Sequence, residues 1–141
     1  MKHKFYIHKI YIVLAFGVLL LLSGCQSAEL KAMENSTSII ELTTGSEVSR
    51  WRQDKGVTLG KPDYPEVRIE YEPVNNYTLE DIYDEIVAIL ERNNWEREEL
   101  SIDRSGFYRA SLPQDSFSIQ ATVSIQLDRN IVSIRLRTIP P

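Results

Sequence analysis

One stretch of the chain is apolar without interruption: residues 10–22 read Ile-Tyr-Ile-Val-Leu-Ala-Phe-Gly-Val-Leu-Leu-Leu-Leu. A run of that length is the size of a signal-peptide core and falls short of the roughly 20 residues that a membrane-spanning helix needs. After it, residues 26–45 are small and polar (Ser27, Asn35, Ser36, Thr37, Ser38, Thr43, Thr44) and show no helical periodicity. They read as a flexible spacer, with residues 38–42 as its one short strand candidate. Residues 46–65 mix charges with Gly56, Gly60, Pro62 and Pro65, which predicts irregular or briefly helical structure around Trp51.

Regular patterning begins at residue 66. Val67, Ile69 and Tyr71 alternate with Glu66, Arg68, Glu70 and Glu72, the period of a half-buried strand, until Pro73 and the pair Asn75-Asn76 break it. Thr78 is then an N-cap, with Glu80 and Asp81 in the first turn, where carboxylates favour the helix dipole. Leu79, Ile82, Tyr83, Ile86, Val87, Ile89 and Leu90 form one broad stripe of an amphipathic helix, ended by Asn93 or Asn94 in the left-handed region. A second strand is expected from Trp95 to about Ile102, with a bulge where its alternation slips between Glu99 and Leu100. A turn at Ser105-Gly106 and a third strand over residues 107–112 follow. Phe117, Ile119, Ala121, Val123, Ile125 and Leu127 then alternate with Ser118, Gln120, Thr122, Ser124 and Gln126. Asp128-Arg129-Asn130 turns the chain, and Val132, Ile134 and Leu136 answer opposite Ser133, Arg135 and Arg137, which makes a long hairpin.

One helix stripe and one apolar sheet face must bury each other. The order β-α-β-β-β-β therefore predicts an α+β fold, a two-layer sandwich of one amphipathic helix on a mainly antiparallel sheet of four to five strands. The domain spans residues 46–141, with its core in 64–138. Its outer sheet face is uncharged Ser, Gln and Thr on one strand and arginine on the next. Such a face is either simply solvated or a contact surface, because uncharged polar groups are cheaper to desolvate than Lys or Glu. Trp51, Gln120, Thr122, Arg135 and Arg137 are the candidates for a partner-binding face; Trp51 alternatively packs on the domain edge.

Charge sharpens the class of partner. The formal net charge is −4, and it becomes −7 once Lys2, Lys4 and Lys9 are removed with the leading segment. An acidic body argues against nonspecific binding of nucleic acid or anionic lipid heads. The single cysteine, Cys25, excludes an intramolecular disulfide and stands just past the apolar run.

Lys2, Lys4 and Lys9 before that run, and Leu22-Ser23-Gly24-Cys25 at its end, complete a pattern. Small residues beside the cut let a peptidase take the backbone in extended form, and the thiol beyond accepts an acyl donor. The segment resembles the lipobox of bacterial lipoproteins: a branched aliphatic, two small residues and an invariant Cys. The resemblance implies removal of residues 1–24, diacylglycerol on Cys25, and a lipidated Cys and tether over residues 25–45. It places the domain on the extracytoplasmic side of a cell membrane or outer membrane, held by acyl chains. In that family an Asp after the Cys favours inner-membrane retention; Gln26 permits outer-membrane sorting. The domain also resembles small exported bacterial lipoproteins over residues 64–138. Its Tyr64-Pro65 precedes the first strand and its Asn94-Trp95 follows the helix, with Asn replacing the family's Gly.

Catalytic residues are scarce. His3 and His8 both precede Cys25, and Cys25 is acylated in this reading, which excludes Ser-His-Asp or Cys-His nucleophiles and the usual zinc ligand sets. Gly56 and Gly60-Lys61 lack the spacing of a phosphate loop. Glu96, Glu98, Glu99 and Asp103 form an acidic run, a solvated edge or, less readily, the carboxylate pair of a hydrolase; it lacks the calcium-loop pattern. The expectation is a noncatalytic module without metal or cofactor, contacting an envelope protein or cell-wall polymer. An inhibitor, immunity factor or structural subunit acting by stoichiometric protein contact is the alternative.

Overall fold

A computed structural model describes residues 26–58, 61–100 and 105–139. In chain order the elements are α1 (Ala28–Thr37), β1 (Gly45–Gln53), β2 (Gly56–Thr58), β3 (Lys61–Asp63), β4 (Glu66–Pro73), α2 (Leu79–Arg92), β5 (Glu96–Arg97), β6 (Phe107–Pro113), β7 (Ser118–Gln126) and β8 (Ile131–Ile139). Six strands form one antiparallel sheet in the order β1-β4-β8-β7-β6-β5, and β2 and β3 make a separate ribbon.

The α+β class and the helix-on-sheet layering follow the alternation in the sequence. β4 turns Val67, Ile69 and Tyr71 inward, β7 turns Ile119, Ala121 and Val123, and β8 turns Val132, Ile134 and Leu136. Onto this face α2 lays Leu79, Ile82, Ile86, Ile89 and Leu90. Its start carries the full capping box: the Thr78 hydroxyl accepts from the Asp81 amide at 3.2 Å, and the Thr78 amide donates to the Asp81 carboxylate at 2.7 Å. It ends at Asn94, φ 62°. Gly106, φ 70°, makes the turn into β6, where a Cβ would press within 3.0 Å of Ile125.

Among the described residues the count of elements differs from expectation: six sheet strands and two helices, instead of four to five strands and one helix. The first addition is α1, in the segment read as a spacer. Ser27 caps it, its hydroxyl accepting from the Leu30 amide, and Leu30, Met33 and Thr37 are buried against β4 and β8. Thr37 breaks the apolar pattern on paper but fits inside, because its hydroxyl donates to the Glu34 carbonyl and accepts from Arg50. The second is β1, expected as irregular structure. It is a sheet edge, exposed along nearly its whole length and bulged at Val48, so no alternating apolar set marks it. Among the described residues, the strand expected from Trp95 is short: Glu96–Arg97 pair with β6, and Ile102 lies outside the described residues.

The connection from α1 to β1 is fastened to α2 by one carboxylate. Glu85 accepts from the amides and hydroxyls of both Thr43 and Thr44 at 2.6–3.0 Å. Among the described residues, the core cluster runs from Leu30 to Leu136.

Candidate functional site

Antiparallel pairing brings residues distant in sequence into two rows on the outer face of the sheet. Trp51, Arg68, Arg135, Thr122 and Arg109 stand side by side on β1, β4, β8, β7 and β6. Nearer one end, Gln53, Glu66, Arg137, Gln120 and Ser111 form the next row. Neighbouring strands are about 4.8 Å apart, so side chains in a row touch or share one partner.

Glu66 is that partner. Arg135 donates from Nε to one carboxylate oxygen at 2.8 Å, Arg137 from Nε to the other at 2.7 Å, and Arg68 from Nη2 to the first at 3.0 Å. Burial pushes the Glu66 carboxyl up, and the hydrogen bonds from Arg135 and Arg137 outweigh it, leaving it below the ordinary carboxylate range. Three positive charges thus meet one negative. A guanidinium has five N–H donors, and each of these three spends one nitrogen on Glu66, which leaves donors on every arginine for another acceptor.

Above this cluster lies an open groove of about 560 Å³. Arg68, Arg135, Arg137, Gln120 and Glu66 line it, and Trp51 and Tyr64 form its aromatic side. Trp51 is 45% exposed and Tyr64 56%. The Arg68 guanidinium stands 5.8 Å from the centre of the Trp51 ring, a cation–π contact that holds both side chains across the strand pair. Gln120 is oriented by Glu98, both of whose oxygens accept from its amide at 3.0 Å.

Of the residues singled out from the sequence, Trp51, Gln120, Arg135 and Arg137 line the groove. Thr122 lies on the same face between Arg135 and Arg109, outside the groove lining. Trp51 belongs to both readings offered for it, since it sits on the edge strand and remains exposed. Glu66, Arg68 and Tyr64 were not singled out. The charged side of β4 was visible in the alternation, but only the pairing of β4 with β8 sets Glu66 opposite Arg137.

The acidic run is dispersed. Glu98 is engaged by Gln120; Glu98 and Glu99 border a second hollow of about 550 Å³ with Arg97 and Arg109; Glu96 is exposed on β5; Asp103 lies outside the described residues. Among the described residues, no group of three His, Cys, Asp or Glu side chains is placed to hold a metal ion. Nor, among them, is any helix long and apolar enough to cross a membrane. Cys25 and its flanking Leu22, Ser23 and Gly24 also lie outside the described residues, as do His3 and His8. Compared with family models, curated proteins and solved structures, the chain matches none.

Proposed function

We propose that the protein is a lipid-anchored, extracytoplasmic module that acts without catalysis, by contact through the outer face of its sheet. Cys25 carries the anchor, after removal of residues 1–24. The observation that carries the contact reading is the arginine cluster on Glu66, set beside exposed Trp51 and Tyr64 in one groove. Polar groups converging on an open apolar-edged hollow are the ordinary form of a recognition site. Support for a noncatalytic role comes from the residues themselves: the chain after Cys25 has no His and no further Cys, and its buried carboxylate at the groove is fully engaged by arginine.

A second reading, stoichiometric contact with one protein as an inhibitor, immunity factor or accessory subunit, draws on a different feature. Among the described residues, β1 leaves one edge of the sheet unpaired over nine residues, the form in which a partner adds a strand. The bulge at Val48 and the charges Glu47, Arg50 and Arg52 blunt that edge, which favours the groove.

The anchor is tested by growing cells on a fatty-acid analogue. Labelling is expected on the wild-type chain and absent from Cys25→Ala; equal labelling of the two removes the anchor from the proposal. A photo-crosslinker at Gln53, beside the groove, is expected to capture a neighbour that the same probe at Glu80 does not.

A further inference from the structure

We infer that the groove rests on the anionic phospholipid headgroups of the membrane that holds the anchor, so that arginine and aromatic side chains dock the domain on the bilayer. This rests on lipid attachment at Cys25. It names the surface that the groove contacts.

The first ground is distance. One residue, Gln26, separates Cys25 from Ser27, a reach of at most about 7 Å between their Cα atoms. The Ser27 amide donates to the Asp54 carboxylate at 2.9 Å, and Asp54 follows Gln53, the end of β1 in the groove. With α1 folded onto the sheet from Ala28 onward, nothing lifts the domain away. The row Gln53, Glu66, Arg137 and Gln120 is thus the one nearest the anchor, and Trp51 and Arg135 stand about 7 Å behind it.

The second ground is charge. Of the carboxylates near that end, Glu29 is matched by Lys55 and Glu34 by Arg52, while Asp54 accepts from the Ser27 amide and Glu98 from Gln120. Glu66 alone faces three arginines. A further group of acids, Glu80, Asp81 and Asp84, lies away from the groove at the start of α2, beyond the end of β4 where Pro73 pairs with Gly45. Net charge averages over the whole surface, whereas salt confines each charge to about 10 Å. An acidic protein therefore carries a local excess of arginine in the groove lining, three against one carboxylate, and the unspent guanidinium donors fit phosphate oxygens.

The third ground is the aromatic pair. Trp51 and Tyr64 are large, exposed and beside the arginines, the pairing found at the headgroup level of membranes, where an amphipathic ring is solvated on one side and apolar on the other.

The test uses the mature polypeptide from Gln26, without acyl chains, and sedimentation with phosphatidylcholine vesicles with and without phosphatidylglycerol. Binding only to the anionic vesicles is expected, with Trp51 fluorescence quenched by brominated lipid. Arg135→Glu with Arg137→Glu should weaken it at least about 25-fold, some fivefold for each arginine. Because reversed charges beside Glu66 can unsettle the fold, Arg137→Gln and Trp51→Phe are measured alongside, with thermal melts. The first should weaken binding, and the second should abolish the quenching while the protein stays folded.

No binding to anionic vesicles, or binding indifferent to Arg135 and Arg137, overturns the inference. So does capture of inorganic phosphate, a wall polymer or an acidic protein at this groove with no vesicle binding, which would make the ligand a soluble one. Loss of the anchor reading is seen separately, in the labelling of Cys25.

Discussion

Glu85 fastens by hydrogen bonds a chain connection that Ile40 and Leu42 also pack onto the core. Its carboxylate takes four donor groups from Thr43 and Thr44, two of them backbone amides. Burial raises its pKa, the hydrogen bonds from Thr44 and Thr43 outweigh that, and the result is pushed down from 4.5 to about 2. A folded-state pKa below the unfolded one means stability that is fully present above pH 4.5 and is lost as pH falls toward 2. Glu85→Gln should therefore cost about 1–2 kcal/mol near neutral pH, allowing for partial exposure. The gap to wild type should close between pH 4.5 and 2 in urea melts; a gap that does not depend on pH would mean the charge contributes nothing. In the sequence Glu85 is legible as a wet-side helix residue and no more. Its role depends on residues some forty positions earlier folding back to it. Glu66 is similar: one strand shows its face, and only the neighbouring strand shows its three partners.

Among elements, legibility followed the number of apolar positions buried. α2 and the β7–β8 hairpin bury a full stripe or a full face, so period alone locates them, and their turns fall at Asn94 and Asn130, both with positive φ. α1 escaped because only Leu30 and Met33 are apolar along its buried line, with Thr37 as the third member. Its small residues looked like a spacer, although Ser27 and Glu29 are ordinary helix-start signals. β1 escaped because its inward side meets the polar face of α1, Arg50 reaching Thr37 and Arg52 reaching Glu34, so charges stand where apolar residues were sought. The energetic consequence concerns Met33, fully buried between α1 and the sheet. Met33→Ala should destabilise the protein by about 2–5 kcal/mol through lost burial and the cavity left. The urea midpoint reads this directly, and an unchanged midpoint would mean that α1 is an appendage to the fold.

For the whole molecule, the docking of α1 makes residues 28–37 part of the fold where a loose tether was expected, and under the proposed anchoring it couples location to stability. Lys31 is the only basic residue between Gln26 and Ser49, and it is solvent-exposed on α1. A tether would let trypsin cut after Lys31 at once while the remaining domain persisted. A helix held by Leu30, Met33 and the Glu85 clamp must open first, because a protease needs several residues in extended form. Cleavage after Lys31 should therefore be slow in native buffer. It should also quicken with urea along the same slope as global unfolding, because opening α1 exposes the core it covers. A shallow slope with a long-lived fragment beginning at Ala32 would instead make α1 a separately yielding unit. Under the proposed docking, the domain would then swing away from the bilayer, and the arginines of its groove would no longer be held against the headgroups. Trypsin thus reads at one bond whether α1 and the sheet behave as one rigid body.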